Sequence, residues 1–166
     1  MRRTLTHTAT MVVVGGLAAL LGLSGASSAA AAPARYAAAE PAPCATGAQA
    51  RPAADAYLDA LLSHNASAVP FAPDVLRVEN GLVTGRTGEE IRTDLNTSGK
   101  YKIITGLRDR KYTEGGPSAD GTVTENVDYR LDVGVVGTTL LTVRVRERFD
   151  VRCGQITYIN ATIGLW

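Results

Sequence analysis

The second half of the chain is dominated by strand patterns, and this restricts the fold more than any other feature. From Lys100 onward, apolar and polar residues alternate in four long segments separated by short, glycine-containing loops. A period of two is typical of strands with one buried face. Short connections favour antiparallel neighbours, so we predict a four-stranded meander. Its strands are residues 101–112, 122–133, 138–151 and 156–165.

Two helices are predicted before these strands. Residues 52–64 have one apolar helical face, as expected for a helix packed against a sheet. We expect this helix to end near His64. Thr87 and Glu90 have the spacing of a helix N-cap, and the second helix should run from there to about Leu95. The apolar face of the first helix consists of Ala54, Tyr57, Leu58, Leu61 and Leu62.

A short hairpin is predicted between the two helices. Residues 75–79 and 82–84 alternate like strands around Asn80-Gly81, a strong signal for a two-residue turn. Residues 69–74 contain two prolines, so we expect a tight connection there. Helices followed by a run of strands indicate an α+β fold. We predict a cone-shaped, curved antiparallel sheet with the N-terminal helices packed on its concave face, because a long sheet in one small domain must curl to enclose a core.

The N-terminal residues have the pattern of an export signal. Arg2 and Arg3 precede an apolar run over residues 11–23, and residues 24–34 are mostly small, as in a cleavage region. The apolar run is shorter than the ~20 residues that span a bilayer. We therefore expect a secreted protein with three parts: a signal peptide (1–32), a flexible Ala/Pro-rich leader (33–50) and one domain (51–166).

The charge of the mature chain excludes some partners. Removal of residues 1–32 takes away two of the 17 Lys and Arg and none of the 16 Asp and Glu, which leaves a net charge of −1. Such a domain has no strong attraction to nucleic acid or to an anionic membrane. We expect neither as a partner once the signal has been cleaved.

Two cysteines, Cys44 and Cys153, remain after cleavage. In an oxidising compartment, such a pair is most simply explained as one disulfide. Closing a loop of roughly 100 residues would contribute about 4–5 kcal/mol in the chain-entropy model. A reactive thiol or a metal ligand is the alternative interpretation.

Several kinds of chemistry lack the residues that they need. His64 is the one histidine of the mature chain, which argues against a catalytic triad and against a histidine-based zinc site. The sequence has neither a phosphate-binding loop nor a dinucleotide fingerprint. We therefore expect no cofactor and no metal.

Two stretches of the domain resemble the opening of SnoaL-like domains, which belong to the nuclear-transport-factor-2-like (NTF2-like) superfamily. They are residues 56–65, AYLDALLSHN, and 71–81, FAPDVLRVENG. Residues 148–150 and 154–157 resemble the final hairpin of that superfamily. The resemblance implies the NTF2-like cone and a pocket between the first helix and the concave face. Members include polyketide cyclases, ketosteroid isomerases, epoxide hydrolases and non-catalytic binding domains, so the fold does not decide the function.

The isomerase residues are matched only in part. Tyr57 aligns with the tyrosine that donates to the substrate oxyanion, and Glu79 or Asn80 falls where the base would lie. The second oxyanion donor, an acid, falls near Leu141 or Thr142, and neither is acidic. Asn80 also has a simpler explanation in the turn that it forms with Gly81.

The epoxide hydrolase residues are also incomplete. The Arg-x-Asp pair of those enzymes falls on Asn126 and Asp128, and their last-strand aspartate falls near Ala161. Two of the three positions depart from the pattern, so epoxide opening is not expected.

Charged residues on the long strands fall into two groups. Asp128, Arg130 and Asp132 alternate with apolar residues and are expected on a solvated face, paired with arginines of the next strand. Glu125 and Glu147 instead interrupt apolar rows, where a carboxylate is costly unless it is paired or lies at a cavity. They could line the pocket mouth, or bulges could turn them outward.

These observations lead to three hypotheses for the function. The first is an exported domain that binds a small apolar or amphipathic molecule, without established catalysis. The second is an acid–base isomerase or cyclase acting on a small apolar carbonyl compound, with Glu79 as base and Tyr57 as oxyanion donor. The third is a non-catalytic interaction module that forms a homodimer. The candidate ligand-binding residues are Tyr57, Glu79, Asn80, Glu125 and Glu147.

Overall fold

The computed structural model describes residues 49–135 and 137–165, which form a six-stranded sheet with helices on one face. The predicted signal peptide, most of the predicted leader and Cys44 lie outside the described residues. None of the helices in the described part of the chain has the length and apolar content that a bilayer crossing requires. The elements are α1 (Ala50–Ser63), β1 (Phe71–Glu79), β2 (Leu82–Gly85), α2 (Gly88–Thr97), α3 (Gly99–Lys102), β3 (Ile104–Glu114), β4 (Val123–Val135), β5 (Thr138–Arg152) and β6 (Gln155–Gly164).

The strands follow the order β2-β1-β6-β5-β4-β3 across a sheet that is curved but not closed. The last four strands form the predicted antiparallel meander. β2 pairs antiparallel with β1, whereas β1 runs parallel to β6. The sheet is therefore mixed, because the first hairpin joins the meander at its β6 edge with β1 running in the direction of β6.

The helix and turn signals of the sequence are confirmed. α1 ends at His64, which takes a left-handed conformation with φ 53°. α2 is capped by Thr87, whose Oγ1 accepts a hydrogen bond from the Glu90 N–H at 3.1 Å. Asn80 and Gly81 have φ values of 48° and 80°, as the tight turn between β1 and β2 requires.

Two element boundaries differ from the prediction by three residues or more. β1 begins at Phe71, inside the segment expected to be a tight connection, and the carbonyl of Pro70 accepts from the Ile156 N–H at 2.8 Å. Pro73 lies where the register of β1 on β6 is irregular, which is where a strand tolerates a missing N–H. The short helix α3 occupies the expected start of the third strand, so β3 begins at Ile104.

We call the face of the sheet that α1 and α2 cover the inner face. Tyr57 of α1 packs edge-on against Phe149 of β5 and Phe71 of β1, with ring centroids 5.3 Å and 6.1 Å away. These rings are buried and anchor the helix to the sheet. Cross-strand pairing arranges the inner face in rows, and two of them are Glu79–Ala161–Glu147–Val127 and Ile163–Val145–Tyr129.

Candidate functional site

A carboxylate and a phenol form a buried pair at the centre of the inner face. Glu147 on β5 is 4% exposed, and the Tyr129 hydroxyl on β4 donates to its Oε2 at 2.7 Å. Burial raises the pKa of Glu147 to about 7, and the negative charge of Glu79 acts in the same direction. The hydrogen bond from Tyr129 and the charge of Arg77 oppose the shift only in part. This carboxyl group therefore changes its charge near neutral pH.

Arg77 on β1 is a fully buried cation that the sequence analysis did not single out. Its Nε donates to Thr84 Oγ1 and its Nη2 to the Thr84 carbonyl, each at 3.0 Å. Nη2 also forms an ion pair with Asp94 of α2, which joins the helix to the sheet. Nη1 has no hydrogen-bond partner among the described residues. Arg77 thus ties β1, β2 and α2 together beneath the helices.

Glu79 lies at the end of β1 and is held by two residues of α3. Its Oε1 accepts a hydrogen bond from the Tyr101 hydroxyl at 2.8 Å, and its Oε2 lies 3.7 Å from Lys100 Nζ. Lys100 also contacts Asp94 at 2.9 Å, so the two carboxylates share one ammonium group. The structure therefore compensates the charge of Glu79 within the fold.

Tyr57 is the residue of α1 that lies near Arg77, Glu79 and Glu147. Its side chain is 1% exposed, and burial raises its pKa, as does the charge of Glu147. Arg77 acts in the opposite direction. We call Tyr57, Arg77, Glu79, Tyr129 and Glu147 the inner polar cluster. The structure thus brings three of the five predicted binding residues together.

Asn80 and Glu125 lie apart from this cluster. The Asn80 side chain accepts from the Ile163 N–H at 2.8 Å, and its own N–H donates to the Ala161 carbonyl at 2.8 Å, so it fixes the turn to β6. Glu125 is fully buried, and neither of its carboxylate oxygens has a hydrogen-bond partner in the described chain. Its nearest cation is Arg51 of α1, whose Nη2 lies 3.7 Å from Oε1.

The surroundings of Glu125 differ from those of Glu147. Burial raises the pKa of Glu125, Arg51 opposes the shift, and Glu114 and Asp55 add to it. None of these three neighbours belongs to the inner polar cluster. Glu125 and Glu147 are therefore two separate buried carboxylates of the inner face, with different neighbours.

The inner face becomes apolar and exposed beyond the Tyr129–Glu147 pair. Ile163 lies opposite Val145 and is 38% exposed, and Leu141 lies opposite Val133 and is 45% exposed. We call Val133, Leu141 and Ile163 the apolar rim. Glu147 and the row of Ile163 are two residues apart along β5, which corresponds to about 7 Å. Glu147 and the exposed Ile163 are thus diagonal neighbours on one face, whereas Leu141 lies six residues from Glu147 along β5, a distance of about 20 Å.

The structure also shows four concavities of about 380–570 Å³, which lie along α2, beside Cys153 and on the outer face of the sheet. Glu147 and Tyr129 each line one of the two on the outer face, and Tyr57 lines none of the four. In residues 49–135 and 137–165, no group of three or more Asp, Glu, His or Cys side chains is arranged to hold a metal ion.

The sheet, its curvature and the helices on its inner face define the class of this protein, which has the NTF2-like fold. Candida albicans Mtr2 superposes with a TM-score of 0.54 at 10% identity, over 72% of this chain and 96% of that one. A Kribbella flavida protein gives a TM-score of 0.53 at 15% identity, over 71% and 88%. A Bacillus subtilis protein proposed to be an isomerase gives 0.50 at 12% identity, over 70% and 86%.

Sequence comparison identifies the family within this class. The profile of the family described as "Domain of unknown function (DUF8021)" matches residues 44–163, and the chain belongs to that family. A search of curated proteins gave no match.

Proposed function

We propose that the protein is an exported, SnoaL-like domain that binds a small apolar or amphipathic molecule at the uncovered end of its inner face. The observation that carries the proposal is that exposed apolar side chains, Leu141 and Ile163, share the inner face with the buried Tyr129–Glu147 pair. Small-molecule sites combine an apolar surface with a few placed polar groups, and this part of the inner face has that composition. NTF2-like folds commonly bind small molecules, which supports the proposal.

Export is the part of the proposal that rests on sequence. Its basis is the arginine pair, the apolar run and the small residues that follow it. No cysteine of the described ranges is a free thiol, which supports the expected pairing of Cys153 with Cys44.

A second candidate function, acid–base catalysis, has one specific observation in its favour. A carboxyl group with a pKa of about 7, beside two buried phenols, is suited to donate and accept protons at neutral pH. The resemblance to ketosteroid isomerases places the base at Glu79, but Tyr101 and Lys100 already engage that carboxylate. In this alternative we assign the base to Glu147, with Tyr57 or Tyr129 as the hydrogen-bond donor.

A charge on the rim tests the binding proposal. We expect Leu141→Asp to weaken binding of an apolar fluorescent probe, anilinonaphthalene sulfonate, by about tenfold or more, since a carboxylate would replace apolar contact area. Fluorescence titration of the purified protein measures the affinity. Val83→Asp is a matched control, because Val83 is also 45% exposed but lies on the outer face of β2.

Comparing the two variants distinguishes a specific site at the rim from nonspecific binding of the probe. Binding that survives Leu141→Asp, or that falls equally in both variants, would contradict a site at the rim. Native mass spectrometry of the protein purified from culture medium complements the titration, since a bound molecule released on unfolding would identify the ligand class.

A further inference from the structure

The charges around the inner polar cluster are unevenly compensated. Asp94 contacts both Arg77 and Lys100, and Glu79 lies 3.7 Å from Lys100 and 4.0 Å from Arg77. Glu147 has the Tyr129 hydroxyl but no ion pair with any residue of the described ranges. A buried carboxylate with a single neutral donor is costly when it is ionised. Glu147 is therefore the acid of this cluster that forms no ion pair with a described residue, and the charge of Arg77 opposes its pKa shift only in part.

The rim residue nearest to Glu147 in the register is Ile163. Ala161, directly opposite on β6, is the smallest side chain of its row and separates Glu147 from Glu79. The next row contains Ile163, which is 38% exposed. A group that enters from the rim meets apolar side chains first and then the carboxylate.

We propose that the molecule bound at the rim is an apolar amine, whose ammonium group pairs with Glu147 and whose hydrocarbon part lies along Ile163, the rim residue one row away. This inference rests on the proposed function and narrows it to a class of ligand. An ammonium group supplies the missing charge and donates hydrogen bonds to the carboxylate. A carboxylic acid would instead meet two carboxylates, Glu79 and Glu147. Nη1 of Arg77, which has no hydrogen-bond partner in the part of the chain that the structure describes, would attract a carboxylate, but Asp94 already compensates the charge of that guanidinium.

The inference gives the binding a defined pH dependence. The groups that face Glu147 are Glu79 and Arg77 from β1, Tyr129 from β4 and Tyr57 from α1. Glu147 acquires its charge as the pH rises through about 7. An alkylamine with a pKa near that of lysine, ~10.4, remains cationic at pH 8. Affinity for the amine therefore increases from pH 5.5 to pH 8.

Three eight-carbon compounds with different head groups test the inference. Isothermal titration calorimetry of the purified protein is carried out with n-octylamine, n-octanol and octanoate, at pH 5.5 and pH 8. We expect octylamine to bind at least about tenfold more tightly than octanol at pH 8, as a charge-assisted hydrogen bond allows. Most of this difference should be lost at pH 5.5, and octanoate should bind most weakly at pH 8.

The neutral isostere Glu147→Gln is the matched control. Its affinity for octylamine should no longer exceed its affinity for octanol, and this ratio is the readout because Glu147 is itself part of the proposed site. If octylamine binds no better than octanol to the wild type, or octanoate binds most tightly, the inference fails while the binding proposal stands. If none of the three compounds binds, the proposed function fails as well.

Discussion

Acidic residues lie on both faces of β4 and β5, and the two faces shift the pKa values of these acids in opposite directions. On the outer face, Asp128 pairs with Arg144, and Asp132 with Arg108 at 3.0 Å, and these contacts lower the pKa values of both acids. This confirms the solvated charge ladder expected for Asp128. On the inner face, burial raises the pKa of Glu147 to about 7.

The comparison shows what each group of charges contributes to the molecule. The outer acids gain their cations from neighbouring strands and remain in contact with water, so their pairs add a little stability. The inner acid gains no cation and reduces the stability of the fold when it is ionised. A residue that lowers stability and is nevertheless present suggests a function, which is the basis of our site assignment.

The largest expected effect on stability comes from removing Arg77, the buried cation of the inner face. We expect Arg77→Met to lower the free energy of unfolding by about 3–5 kcal/mol, because Asp94 loses a buried partner and the Thr84 acceptors are left unpaired. The outer-face substitution Arg144→Met should cost at most about 1 kcal/mol, since that ion pair is partly exposed. Urea denaturation at pH 7 under oxidising conditions measures both.

Equal losses in these two variants would remove the distinction between the faces. A loss below about 1 kcal/mol for Arg77→Met would show that Lys100 alone can compensate Asp94.

The second prediction is that removing the inner carboxylate, Glu147, increases the stability of the fold instead of lowering it. The pKa of Glu147 is about 7 in the folded state against 4.5 ordinarily, so the folded state binds more protons between these values and its stability falls as the pH rises through them. At about 1.4 kcal/mol per pH unit, the full penalty is about 3 kcal/mol above pH 7. We expect Glu147→Gln to be more stable than the wild type by up to this amount at pH 8.

The pH dependence of this gain is the decisive observation. Urea denaturation at pH 4, 6 and 8 should show the difference between Glu147→Gln and the wild type rising from near zero at pH 4. A variant that is less stable than the wild type at pH 8 would mean that the ionised carboxylate has a compensating partner.

The alternation along β4 and β5 was enough to identify the two acids that interrupt apolar rows. Glu125 and Glu147 interrupt apolar rows in the sequence, and the structure shows both buried. It did not reveal whether a bulge would turn them outward, because a bulge is set by the local register of two strands. The shift between β4 and β5 occurs only at Val133 and Gly134, beyond both acids.

Arg77 could not be identified from the sequence for a related reason. An arginine in a short strand is ordinarily exposed, and its partner Asp94 lies 17 residues away, on a helix. The one local signal was that Val75, Arg77 and Glu79 share a face of β1, with Val75 fully buried in the structure. The packing of α2 against β1 decides the burial of Arg77, and a pattern within one strand does not contain that information.

The smallest expected effect concerns the outer face and its response to salt. Asp128→Asn should cost at most about 1 kcal/mol in low salt, because the pair of Asp128 with Arg144 is partly exposed. The loss should shrink toward zero in 1 M NaCl, where the Debye length is about 3 Å. The stabilisation by Glu147→Gln at pH 8 should persist in the same salt, since it arises from burial and salt screens buried charges much less than exposed ones. Urea denaturation of both variants at two salt concentrations tests this contrast, and a gain in Glu147→Gln that disappears with salt would place Glu147 within reach of solvent ions, contrary to its burial.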